Sequence, residues 1–318
     1  MDKCATIRSF GWNSYLTTNK KVKMKIIVTG SLGNIGKPLT IELVKNGHSV
    51  VVISSKEEKR NEIEILGAKA AIGSIENVTF LKQTFIGADA VFCMVPPADY
   101  KEPNRREYYS RIANNYFKAI QETKVCRLIH LSTFGADLDS GTGILLGAHD
   151  AEKILNQLPD VNLTHIRPTY FYYNLNNFIN MIKFQGIIKA NYGGDHKFPM
   201  VAPIDIAEVV ADEIQNISSE NKVRYVASDE RNGHEIAKVL GEAIGISDLK
   251  WEVISNDEVQ NNMESYGIPT LLAKGFVDMF DSMYKGDLAR DFYLHKPVFG
   301  KTKLEDFATE FANNYNQI

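Results

Sequence analysis

The chain has 318 residues, 44% of them hydrophobic, and sets 36 Lys and Arg against 39 Asp and Glu for a net charge of −3. That is enough to bury a sizeable core, as one large domain or a main domain with a lobe, and the charge balance leaves no global basic field of the kind that recruits nucleic acid or an anionic membrane. No apolar run reaches the roughly 18 residues of a membrane span, and no apolar stretch precedes a cleavage-like site.

Residues 1–22 are basic and aperiodic, and are expected to form a disordered extension from an over-long start rather than a targeting peptide, because they carry Asp2 and lack an amphipathic arginine pattern. The first strand begins almost at once, at Met24. Ile26, Ile27 and Val28 make an unbroken β-branched run, which suits a strand buried on both faces of a parallel sheet. Thr29 follows, then Gly30, Gly33 and Gly36 at three-residue spacing, with Leu32, Asn34 and Ile35 between them. Such glycines let the chain bend sharply, bring backbone N–H groups close to a diphosphate and pack the next helix on the strand, whose N-terminus then faces the phosphates.

Residues 37–46 place Leu39, Leu43 and Val44 on one helical face, and Gly47 stops the helix. A second strand, 50–53, ends at Ser54, Ser55 and Lys56, with Arg60 close behind. Small polar and cationic groups at this place suit the 2′-phosphate of NADP(H), whereas NAD(H) usually meets an acid; Glu57 and Glu58 fall late for that role. The expected cofactor is therefore NADP(H) in preference to NAD(H), the alternative being a solvated charged turn. A third strand, 68–72, leads to Ser74, and a fourth, 90–95, ends at Val95 and Pro96 beside the expected cofactor. The helix 104–121 carries Tyr108, Ile112, Tyr116 and Ile120 as a packing stripe.

A fifth strand runs to Ser132, at the carboxyl end where doubly wound sheets bind ligands. A sixth, 163–166, runs into Arg167-Pro168 and the aromatic set Tyr170, Phe171, Tyr172 and Tyr173, expected either to flank the nicotinamide, with Tyr170 on the cofactor, and the mouth for a flat acceptor, or to be core. Beyond residue 175 the alternation loosens into a loop at 191–201, a helix at 205–217, a returning strand at 223–227, and helices at 235–244, 257–266, 270–284 and 303–314. The expected fold is thus an α/β, doubly wound parallel-sheet Rossmann fold. Its expected division is a dinucleotide-binding core at 23–174 and a smaller, mostly helical substrate lobe at 175–318 that returns to the sheet near 201–228. His130 and His165 are expected as core histidines, and no cluster has metal-ligand spacing. Cys93 and Cys126 fall in buried strands, where a cysteine behaves as a small hydrophobe, and three cysteines without metal spacing point to a reducing, cytoplasmic setting.

The glycine turn resembles the extended and atypical branches of the short-chain dehydrogenase/reductase superfamily. In that superfamily a tyrosine donates a proton and a lysine four residues later holds the ribose, since i and i+4 share a helix face. Here the stretch is His149-Asp-Ala-Glu-Lys153, with histidine in place of the tyrosine. Together with Val95-Pro96-Pro97, Ser132-Thr-Phe-Gly135, Arg167-Pro168, Pro203-Ile-Asp-Ile-Ala-Glu208 and the segment 299–307, it resembles the NmrA-like family over roughly residues 24–315, most closely the quinone and triphenylmethane-dye reductases. The resemblance implies NADPH binding and hydride delivery to a small-molecule acceptor that needs little enzyme-derived proton, with His149, Lys153 and Ser132 as candidate catalytic residues. His149 is either a proton relay or a packing residue, and Ser132 either an active-site serine or a satisfied strand terminus. A non-catalytic NAD(P)-binding redox sensor is the alternative, whereas epimerase or dehydratase chemistry is disfavoured by the broken Tyr-x-x-x-Lys pair. No nucleic acid or membrane partner is expected; a homodimer is an open expectation.

Overall fold

A computed structural model describes residues 22–99, 102, 104–216 and 221–317. The extension expected at 1–22 lies outside the described residues except for Val22. The chain divides into two compact units: the first gathers the described residues through Ser132, Asp150–Arg167 and Ile206–Arg224, and the second gathers Thr133–His149, Pro168–Asp205 and Tyr225 onward. The expected boundary near 174 is therefore crossed several times, because residues 133–149 and 206–224 each leave the unit that their neighbours in sequence belong to.

Most of one seven-stranded sheet belongs to the first unit. Its strands are β1 (Lys25–Val28), β2 (Ser49–Ser54), β3 (Lys69–Ile72), β4 (Ala90–Met94), β5 (Arg127–Leu131), β6 (Asn162–Pro168) and, after three short strands of the second unit, β10 (Lys222–Val226). Their order is β10-β6-β5-β4-β1-β2-β3. The pairs β1 with β2 and β4, β2 with β3, β4 with β5 and β5 with β6 are all parallel. This is the Rossmann order with one strand added, and the chain reverses its winding between β1 and β4, where such sheets open a ligand crevice at their carboxyl ends. Ile26, Ile27 and Val28 are wholly buried, as expected of a strand covered on both faces.

The helices of this unit are α1 (Gly36–Lys45), α2 (Arg60–Ile65), α3 (Val78–Phe85), α4 (Arg105–Thr123), most of α5 (Leu146–Leu155) and, past the short α6 (Ile179–Gln185) of the second unit, most of α7 (Pro203–Gln215). Asn104 starts α4 by accepting from the Glu107 N–H, and Ile112, Tyr116 and Ile120 of the expected stripe are wholly buried. Cys93 is a buried free thiol in β4.

The second unit carries helices at Gly233–Ile244, Asn256–Ser265, Thr270–Tyr284 and Leu304–Gln317, close to the bounds expected. Beside its helices it holds a three-stranded sheet of β7 (Tyr170–Phe171), β9 (Phe198–Val201) and β11 (Asp229–Arg231), and a two-stranded parallel sheet of β8 (Ile187–Ala190) with β12 (Lys250–Val253). The region 191–201 is thus partly strand rather than loop. Trp251, Tyr192, Phe198 and Phe292 lead its aromatic core.

At the β6 side of the large sheet, Arg127 is wholly buried. Its guanidinium donates to Asn162 Oδ1 (2.5 Å), Thr164 Oγ1 (2.9 Å) and Glu213 Oε2 (3.1 Å), tying β5 and β6 to α7. Burial pulls its pKa down to about 10 against the pull of Glu213. Lys222 and Arg224 reach the same carboxylate from β10, at 2.9 and 2.6 Å. Arg127→Ala should lower unfolding free energy by about 3 kcal/mol in urea melts, since it breaks a buried ion pair; a loss below about 1 kcal/mol would mean that Lys222 and Arg224 neutralise Glu213 by themselves.

Candidate cofactor site

The turn between β1 and α1 is held from both sides. Thr29 N–H donates to Phe92 O in β4, while Thr29 Oγ1 accepts from Met94 N–H at 3.0 Å. On the other side Ser31 N–H donates to Ile53 O, and the Ser31 hydroxyl donates to Ser54 Oγ at 3.0 Å. Gly30 and Ser31 both have positive φ, +87° and +57°. For Ser31 that conformation is uncommon, and here two strand ends impose it. A side chain at Gly30 would run into Met94, and one at Gly36 into the Ser31 carbonyl oxygen. Only glycine fits either place.

The α1 N-terminus has no side-chain cap hydrogen bond and no acid in its first turn. Gly33 and Asn34 are exposed there, whereas Ile35 and Gly36 are buried. A helix start of this kind leaves backbone donors and a partial positive charge for an anion. The residues present therefore fit a dinucleotide diphosphate. Behind the turn, the buried Tyr116 donates its hydroxyl to Met94 O at 2.9 Å, and burial raises its pKa well above the usual range.

Topology brings the other expected cofactor residues of this unit to the same carboxyl edge. Ser54 ends β2, its oxygen accepting from Lys56 N–H at 3.2 Å. Ser55 and Lys56 are exposed beyond it. Arg60 closes on Glu57 with two hydrogen bonds. Ser74, past β3, is exposed and caps its own turn by accepting from Glu76 N–H. Val95 is buried and Pro96 partly so at the end of β4. Leu32 is partly buried within the glycine turn.

Ser132 follows β5 and is nearly buried. Its hydroxyl donates to Glu152 Oε1 at 2.5 Å. Glu152 is clamped by Arg167, Nε to Oε1 at 2.9 Å and Nη2 to Oε2 at 2.7 Å. Burial works to raise the Glu152 pKa, but the Arg167 hydrogen bonds and charge outweigh it and bring it down to about 2. Ser132 thus spends its only hydrogen on an ionised carboxylate and can offer a further partner only lone pairs. Glu152 and Arg167 stand in the sequence only as parts of motifs, and nothing in their spacing signals the pairing.

His149 and Lys153 lie four residues apart on α5. Lys153 is exposed. His149 is partly buried, with Nδ1 2.9 Å from the Ala136 carbonyl. A carbonyl only accepts, so Nδ1 carries the hydrogen and Nε2 of the neutral ring has a free lone pair. His130 and His165 are buried with their Nδ1 atoms 2.9 Å apart, and His165 Nε2 lies 3.2 Å from Asn156 Oδ1. His165 therefore donates through Nε2 and accepts from His130. Burial, with help from His165, lowers the His130 pKa to about 3.

Tyr170 belongs to the second unit, where its hydroxyl meets that of Tyr192 at 3.0 Å and its ring packs on Phe198. Tyr172 is buried with it, and the Phe171 and Tyr173 rings stack at 5.0 Å. Among the described residues no group of three His, Cys, Asp or Glu could hold a metal, and no helix is long and apolar enough to cross a membrane.

A family model described as NAD(P)H-binding matches residues 30–217. The chain is 26% identical to an uncharacterized oxidoreductase, YesF, of Bacillus subtilis over 298 residues, 90% of this chain and 95% of that one. A further curated relative is matched over 35% of this chain and only 34% of its own length. Among solved structures, triphenylmethane reductase of Citrobacter sp. complexed with NADP(H) superposes with a TM-score of 0.74 at 18% identity, covering 90% of this chain and 99% of that one. An NADPH-dependent quinone oxidoreductase, QOR2, of Escherichia coli gives 0.73 at 20% identity, over 90% and 98%. The NmrA-like resemblance and the Rossmann fold are borne out by these matches.

The Glu152 carboxyl carries a pH dependence with a definite sign. Its folded pKa lies below the ordinary 4.5, so its contribution is complete above pH 4.5 and is lost as pH falls toward 2. Glu152→Gln should therefore be less stable than the parent at pH 7, by on the order of 3 kcal/mol, with a shallower loss between pH 4.5 and 2 in urea melts. Parallel curves would show that the carboxylate titrates alike in both states.

Proposed function

We propose that this chain, which belongs to the NAD(P)H-binding family, is an NADPH-dependent reductase that passes hydride to a quinone-like or other conjugated small-molecule acceptor. The observation that carries the reading is the uncapped α1 N-terminus behind a turn that admits only glycine at Gly30 and Gly36. Thr29, Gly30, Leu32, Gly33, Asn34, Ile35 and Gly36 would receive the diphosphate, while Ser54, Ser55, Lys56 and Arg60 would take the 2′-phosphate. Ser74 would border the adenine, Val95 and Pro96 would wall the cofactor, and Lys153 would hold the ribose. Bound NADPH supplies the hydride. His149, pinned through Nδ1, takes up and releases a proton at Nε2 as the reduced acceptor oxygen requires. The likeness to the dye and quinone reductases supports this choice of acceptor.

One observation favours a second reading, a redox sensor that binds the cofactor without turnover. Ser132 is committed to Glu152, so the strand end that would meet a substrate has no free hydroxyl hydrogen there.

Fluorescence titration with NADPH and NADH, followed by NADPH oxidation over a panel of quinones and dyes, separates the two. The reductase reading expects tighter binding of NADPH and turnover with at least one acceptor; tight binding without turnover on any of them favours the sensor. Lys153→Ala should weaken NADPH binding by about tenfold, the worth of one charge-assisted hydrogen bond. Unchanged affinity would return Lys153 to the solvated surface. His149→Ala should lower kcat more than affinity, and equal rates would leave it a packing residue.

A further inference from the structure

Two cations of the segment that follows β2, Lys59 and Arg60, are paired with acids of the same segment. Lys37 and Lys59 both reach Glu62, at 3.0 and 2.8 Å. Arg60 makes a bidentate pair with Glu57, Nε to Oε1 at 2.5 Å and Nη2 to Oε2 at 3.0 Å. Unlike a core ion pair, this one is open to water: the two side chains are 41% and 68% exposed. It sits at a defined place, because Ser54 Oγ joins the glycine turn through Ser31 to the start of that segment through Lys56 N–H. Glu57 and Arg60 therefore follow directly on the strand end where the adenosine ribose would lie.

We propose that Glu57 sets the choice between a phosphorylated and an unphosphorylated ribose, by occupying Arg60 until a 2′-phosphate displaces it. The inference rests on the cofactor reading above and adds a residue to it. A carboxylate and a phosphate present the same two-oxygen face to a guanidinium, so they compete for one fork of donors. An exposed pair is weak, and a phosphate that carries nearly two charges outbids a single carboxylate. With an unphosphorylated ribose, Glu57 keeps its hold, and the site does not face the ribose hydroxyls with an uncompensated guanidinium. The acid that falls too late to serve the ribose directly thus acts through Arg60.

The test titrates NADPH and NADH by fluorescence into the full chain, Glu57→Gln, Arg60→Gln and the double variant. Both residues are exposed, so neither substitution endangers the core. Glu57→Gln should tighten NADPH by about two- to fivefold, the value of an exposed pair, and leave NADH unchanged. Arg60→Gln should weaken NADPH, and in its background Glu57→Gln should lose its effect, as a double-mutant cycle requires of groups that act through each other. An unchanged NADPH-to-NADH ratio in Glu57→Gln overturns the proposal, as does a shift that persists in full without Arg60. If the parent chain binds neither cofactor, the cofactor reading itself falls and takes this inference with it. Binding with an unmoved ratio sinks the inference alone.

Discussion

Two successive residues with positive φ, Gly30 and Ser31, govern the first unit. They turn the chain out of β1 so that α1 begins eight residues after Val28, with its N-terminus at the carboxyl end of that strand. A non-glycine residue holds such a conformation only where neighbours over-determine it. Here Thr29 is tied to β4 and Ser31 to β2, so the parallel sheet itself holds the turn. The dependence runs both ways. β1 is the point where the winding reverses, and a turn of different shape there would leave the β4 and β2 ends without their bridging partners.

Four side-chain hydroxyls at this edge are already used by the protein. Thr29 serves Met94, Ser31 serves Ser54, Tyr116 serves the Met94 carbonyl and Ser132 serves Glu152. Side chains so engaged are rigid and shape the surface, and the donors best suited to a phosphate are then backbone N–H groups at the start of α1. That suits recognition of a diphosphate, which needs many donors aimed at one region and pays little for reorganising them. It suits proton transfer poorly, since a hydroxyl engaged in a charged hydrogen bond must first be released.

The sequence was legible where a local pattern carries the physics. The β-branched run at Ile26 to Val28, the three-residue glycine spacing and the stripe through Ile112, Tyr116 and Ile120 each state a period or a backbone requirement, and the structure has them where they were expected. The short strands of the second unit state neither. Phe198–Val201 is buried throughout, while Lys250–Val253 buries only Trp251, so no alternation marks them, and Pro199 argues against a strand. Pairings between distant residues were equally silent. Glu152 and Arg167 meet because α5 packs beside β6, and nothing in a spacing of fifteen residues says so. The same applies to the divided units, in which residues 206–224 return to the first after a long excursion.

The exchange of tyrosine for histidine at position 149 changes which group can move a proton. A tyrosine in the superfamily pattern relies on the lysine four residues on to lower its pKa, and that coupling has no counterpart when the ring is an imidazole, which carries an acceptor nitrogen of its own. In the proposed reading Lys153 serves the ribose alone, and the histidine needs a different constraint, one that fixes its tautomer. The Ala136 carbonyl supplies it by holding Nδ1–H. Ser132 cannot take over the donor role, because its hydrogen lies on a carboxylate that Arg167 keeps ionised far below neutral pH. In the proposed reading, chemistry at this edge therefore suits acceptors that hold the incoming hydride charge by conjugation and wait for their proton, such as a quinone or a delocalised cation. An isolated ketone, which needs a proton as the hydride arrives, would find no ready donor in Ser132.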